Sequence, residues 1–164
     1  MFFACQRENP QVFALSQEKN KQQMPTDVHR EIARREKADI QLIAKRYDWH
    51  LKQTPSGLLY ELSNVHENSS MPQSGDIVSI SGSISLPSGV SIFDSQKDSI
   101  KTFQVNRSED FVGLHELLQL MHEGDSANAI IPSFLAYGLS GDGDKIGGAT
   151  SLICKIKLVN INKK

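Results

Sequence analysis

The chain of 164 residues is long enough for one domain of ordinary size plus an appendage, and too short for two full domains. With 38% hydrophobic and 23% charged residues and a formal net charge of -1, its composition is globular rather than disordered or fibrous, without the basic excess that nucleic-acid binding calls for. Its two cysteines, Cys5 and Cys154, stand at opposite ends, so no metal-ligand or redox spacing arises, and no apolar run approaches the roughly 18 residues of a spanning helix.

Residues 1 to 5, Met-Phe-Phe-Ala-Cys, have the small-residue-then-cysteine ending of a bacterial lipoprotein signal peptide, without its charged start or most of its apolar stretch. The expectation is that the precursor begins upstream of Met1 and that Cys5 becomes the acylated first residue. Gln6 to Pro25 is polar and rich in Gln, Lys and Asn, as a tether is. Residues 26 to 48 read as one helix after Pro25, with Val28, Ile32, Ile40, Ile43 and Tyr47 near helical spacing and Arg35 and Glu36 interrupting the stripe.

Past Thr54-Pro55-Ser56-Gly57 the texture changes to short β-type runs between turn residues. Three segments follow from this: 1–25 as start and tether, 26–53 as helix and linker, and 54–164 as a domain expected to fold as its own unit. Strands are predicted over Leu58 to Val65, Asp76 to Leu86, Val90 to Phe93, Lys101 to Asn106, Ser126 to Ile131 and Thr150 to Ile161. The single convincing helix of the domain is predicted over Glu109 to His122, where Phe111, Leu114, Leu117, Leu118 and Met121 recur at helical intervals. A glycine-rich loop, Gly138 to Gly148, joins the last two strands. The fold class is α+β: an antiparallel sheet wrapped around one short helix, with an N-terminal helical stalk.

Seven segments then stand in a recognisable order: Thr54-Pro55-Ser56-Gly57-Leu58-Leu59-Tyr60, Ser74-Gly75-Asp76-Ile77-Val78, Phe93-Asp94-Ser95, Gly113-Leu114-His115-Glu116, Met121-His122-Glu123-Gly124, Ile131-Pro132 and Leu135-Ala136-Tyr137-Gly138. In order and spacing they resemble the FKBP-type peptidyl-prolyl cis-trans isomerases. The lipobox-like cysteine, the N-terminal helix, Pro132-Ser133 and the Gly-Asp-Gly-Asp-Lys-Ile-Gly loop are similar to the gliding-motility-associated isomerase lipoproteins in particular.

The resemblance implies an apolar cup that holds a proline ring and binds the twisted Xaa-Pro amide better than the planar one. It implies catalytic roles for Tyr137 as a hydroxyl donor, Asp94 as a polar neighbour and Phe93 as a wall. It assigns substrate binding to Phe111, which gives a wall and a backbone N–H, to Leu114 as the floor and to Ile146 as the cover. Ile80 and Cys154 fall where the family commonly has aromatic residues, so the pocket is expected to be shallower and looser. The implied partners are polypeptides containing Xaa-Pro bonds and macrolide-type ligands. The implied location is the cell envelope, facing the periplasm, with the membrane met only through the lipid anchor on Cys5. The alternative is a non-catalytic peptide-binding chaperone or assembly subunit of an envelope machinery.

No cofactor is expected. The histidines His29, His50, His66, His115 and His122 lack ligand spacing, so no metal site is expected either. Gly141-Asp142-Gly143-Asp144 lacks the later ligands of a calcium loop, and Gly138 to Gly148 has no Gly-Lys-Ser/Thr ending to cradle phosphate.

Overall fold

The computed structural model describes residues 26–108 and 110–164. Cys5 and the tether lie outside the described residues.

Helix α1 runs Thr26–Tyr47, with Asp27 in its first turn and Lys45 and Arg46 in its last, the charge order that complements the helix dipole. Seven strands follow: β1 (Lys52–Gln53), β2 (Leu59–Ser63), β3 (Ile77–Ser85), β4 (Ser91–Asp94), β5 (Lys101–Gln104), β6 (Ser126–Ile131) and β7 (Leu152–Asn162). Between them lie the short helices α2 (Ser95–Asp98) and α3 (Val112–Gln119) and a 3-10 turn over Ser133–Leu135. The sheet is antiparallel in the order β1-β2-β6-β7-β3-β4, with β5 paired to the first half of β3 beside β4. This is the α+β architecture expected of the sequence.

Alternation along β7 explains how one sheet serves two cores. Leu152, Cys154, Ile156 and Leu158 join Leu114, Leu117 and Leu118 of α3 in the main core. Ile153, one residue out of phase, faces the other side and packs with Ile130 of β6 and with Ile40 and Ile43 of α1. Burying side chains of this size stabilises by about 1.5 to 3 kcal/mol each. The compact unit that holds both clusters runs Arg34–Lys164. A boundary at 54 would strip the cover from Ile130 and Ile153. The end of α1 is fixed further by Lys155, whose Nζ sits 4.0 Å from the ring centre of Tyr47 and 5.5 Å from that of Trp49, two rings stacked on each other.

Three local differences from expectation have physical causes. Helix α3 starts at Val112 because Phe111, its N-cap, is extended. It stops at Gln119 because the Leu120 and Met121 N–H groups reach back only three residues, to the Leu117 and Leu118 carbonyls. Helix α2 went unpredicted: Asp94 caps it by accepting from the Gln96 N–H, a four-residue element too short for periodicity to register.

Candidate functional site

The glycine-rich loop carries one of the expected site residues, Ile146, and starts directly after another, Tyr137. Asp142 shapes it, since its Oδ1 accepts from the N–H groups of Asp144 (2.9 Å) and Ile146 (2.7 Å). These bonds hold the Asp142 carboxyl below its ordinary range. The Asp142 N–H closes the turn on the Ile146 carbonyl, and the Ala149 N–H donates to the Gly138 carbonyl at 2.9 Å. Gly141 is required here: it takes φ +73, and a Cβ would lie 2.0 Å from the Ile146 carbonyl oxygen. The Gly-Asp-Gly-Asp run is thus an organised turn whose carboxylate is committed to backbone, and Ile146 is buried as a result.

Across from the loop, the Phe111 and Tyr137 rings meet with centroids 5.6 Å apart, tilted by 54°. Tyr137 is half-buried and packs on the main core. Burial pushes its phenol up first, and the charges of Asp110 and Asp142 push it further. It is therefore protonated throughout the neutral range and available as a hydrogen-bond donor. Phe93, Phe111, Leu114 and Ile146 all belong to the core cluster on which Tyr137 packs.

Asp94 is placed differently from a free polar neighbour. Its Oδ1 caps α2, its backbone N–H donates to Asp98, and its Oδ2 stands 3.8 Å from Lys97 Nζ. It fixes the strand-to-helix corner that follows Phe93. Ile80, Leu114 and Cys154 are wholly buried and present no surface to a ligand. The open, looser walls expected at Ile80 and Cys154 are therefore corrected: both side chains are core, and Ile80 and Leu114 serve beneath the site. Burial raises the Cys154 thiol to about 12, so it is a neutral apolar filler rather than a reactive group.

Two features escaped the sequence reading. Lys101 of β5, paired in register with Ile80, bonds Asp110, and Asp110 both precedes Phe111 and faces Tyr137 electrostatically. An ion pair thus borders the donor. The second is Glu36 of α1, whose carboxylate accepts from Ser133 and Ser151. Neither leaves a local signal, because each partner lies far off in sequence or is an ordinary surface charge when read alone. Among the described residues no group of three or more His, Cys, Asp or Glu side chains could hold a metal ion.

A short helix packed in the fold of an antiparallel sheet, with an aromatic wall and a protonated phenol at its mouth, is the arrangement of the FKBP-type peptidyl-prolyl cis-trans isomerases. The family's model matches residues 68–159, and the chain belongs to that family. It is 38% identical over 111 residues to the probable FKBP-type peptidyl-prolyl cis-trans isomerase FkpA of Neisseria meningitidis serogroup B, covering 68% of this chain and 40% of that one. The crystal structure of FkpA from Escherichia coli shares the fold with a TM-score of 0.70 at 19% identity, covering 94% of this chain and 71% of that one. A peptidyl-prolyl cis-trans isomerase structure from Pseudomonas syringae pv. tomato matches at 0.65 and 25% identity, over 77% of this chain and 92% of that one. The chain spans about half the length of the curated relatives it matches.

Proposed function

We propose that the protein is a working isomerase of Xaa-Pro peptide bonds in exported polypeptides. The observation that carries this reading is the half-buried, protonated Tyr137 held 5.6 Å from the Phe111 ring above an apolar floor. The reaction needs no nucleophile. Its barrier of about 18 to 20 kcal/mol is the loss of amide conjugation, so a site works by holding the twisted amide more tightly than the planar one. An apolar wall favours the proline ring with its nitrogen out of conjugation, and a fixed phenol O–H offers a hydrogen bond to a carbonyl of the turned peptide. The burial of Ile80 and Cys154 leaves fewer exposed walls than the family pattern, which points to modest turnover.

Tyr137→Phe is the direct test. It is expected to lower kcat/KM on a set of Xaa-Pro peptides about tenfold while changing the unfolding free energy by less than about 1 kcal/mol. If wild type and variant both match the uncatalysed rate while folded, the catalytic reading gives way to the peptide-binding chaperone or assembly-subunit one.

The reading extends to location: a lipid-anchored protein facing the periplasm, acylated on Cys5 and tethered through residues 6 to 25. The support is the Phe-Phe-Ala-Cys ending ahead of a polar run. The likeness to gliding-motility lipoproteins belongs to the same reading and rests on loop and stalk residues. One acyl chain holds a membrane weakly, so stable anchoring calls for more than one. Intact-mass measurement of the membrane fraction is expected to show a lipidated Cys5, and an unmodified Cys5 on soluble protein would overturn the location.

A further inference from the structure

Glu36 stands in the middle of α1, where it breaks the apolar stripe. Its Oε1 accepts from the Ser133 N–H at 2.6 Å and from the Ser151 hydroxyl at 2.7 Å, and its Oε2 accepts from the Ser133 hydroxyl at 3.0 Å. Ser133 and Ser151 are two of the few buried polar residues among the described residues, at 4% and 3% exposure. They bracket one segment. Ser133 opens the 3-10 turn that leads to Tyr137, and Ser151 closes the glycine-rich loop just before β7.

We infer that Glu36 is a positioning residue: its carboxylate clamps the two ends of the loop that carries Tyr137 and Ile146, and so holds that loop in the shape that forms the site. Three features support a local role. The bonds are charge-assisted and short, so they are stronger than ordinary side-chain contacts. The acid is held in place by the burial of Ile40 and Ile43 one and two turns further along the same helix. The bonds Glu36 makes add to those inside the loop, Gly138 N–H to Ser133 carbonyl at 2.7 Å and Ala149 N–H to Gly138 carbonyl at 2.9 Å. Those inner bonds pass from one clamped end toward the other. A cleft of about 340 Å³, lined by Glu36, Leu86, Pro87, Thr150 and Ser151, opens beside the clamp, so water reaches the loop ends once the acid is removed.

The inference rests on the isomerase reading for its effect on turnover, but not for its effect on the loop. The test therefore has two arms on the full chain, with Glu36→Ala, Glu36→Gln and Ser151→Ala. In native-state hydrogen exchange, Glu36→Ala is expected to speed the Gly138 and Ala149 amides about tenfold or more, with Leu158 and Val105 unchanged. Glu36→Gln, which keeps one acceptor oxygen, and Ser151→Ala, which keeps the Ser133 bonds, fall between wild type and Glu36→Ala and still report if the alanine variant fails to fold. In the second arm kcat falls about tenfold in Glu36→Ala with a smaller change in KM, because the loop sets the donor used in the turned state. Exchange unchanged at Gly138 and Ala149, or raised equally at Leu158 and Val105, overturns the clamp. A wild type without turnover would remove the isomerase reading and leave the exchange arm to decide the clamp.

Discussion

Asp125→Ala is expected to destabilise the protein by about 3 kcal/mol, because it removes a buried carboxylate that accepts from several part-buried donors at once. The Asp125 carboxylate is wholly buried. Its Oδ1 accepts from the His66 N–H at 2.7 Å and lies 3.2 Å from His66 Nδ1; its Oδ2 accepts from the His122 N–H at 2.8 Å and lies 3.3 Å from His122 Nδ1. Its backbone carbonyl also receives the Leu158 N–H. One residue thus joins the segment after β2, the end of α3 and β7. Burial alone would push the Asp125 carboxyl up; the N–H groups of His122 and His66 and their rings outweigh it and hold it below the ordinary carboxylate range. A group whose folded value is depressed gives stability that is present above the unfolded pKa, about 4, and is lost as pH falls through the folded value. Urea unfolding measured from pH 7 down to pH 3 should therefore show a shallower acid loss in Asp125→Asn than in wild type. Asp76 and Asp142, also depressed, keep some slope in both. A variant as stable as wild type at pH 7, or with an identical acid slope, would refute this account.

Gly82→Ala is expected to cost about 3 kcal/mol, from two separate causes. Gly82 lies in β3 at φ +119, a conformation that an L side chain resists. A Cβ there would stand 2.1 Å from the Lys155 carbonyl oxygen and 2.8 Å from Ile156 Cα, both backbone atoms of the neighbouring strand β7. Neither can move without opening the longest pairing in the sheet. The Gly82 N–H also donates to Ser95 Oγ at 2.8 Å, which links this point to the corner after Phe93 and Asp94. Strain here would reach the site, so activity should fall alongside stability. The urea midpoint should drop by about 1 to 2 M, given the slopes usual for a domain of this size. A loss under about 1 kcal/mol would mean that β3 and β7 separate more easily than their register implies.

Much of this was legible along the chain. Ser126 to Ile131 is the predicted strand to the residue, the ends of the other five predicted strands moved by a few residues at most, and β1 was not predicted. The roles of Phe93, Phe111, Leu114 and Ile146 are those implied by the family resemblance, and all four lie in the core cluster on which Tyr137 packs. Asp94 shows where such reading stops: the same residue in the same motif can be a free polar neighbour or a cap, and only the Gln96 N–H pointing at its Oδ1 distinguishes the two.

The sequence by itself determined the α+β class, the family and the order of the strands along the chain, because side-chain periodicity and turn chemistry act over a few residues and survive without any knowledge of what packs on what. The tertiary structure decided the rest. That Cys154 and Ile80 are sealed inside, that Lys101 meets Asp110 beside the phenol, and that Glu36 holds Ser133 and Ser151 all depend on partners brought together by the sheet. Burial and hydrogen bonding between distant residues follow from chain closure in space, and no local pattern encodes which surface charge will find a buried hydroxyl.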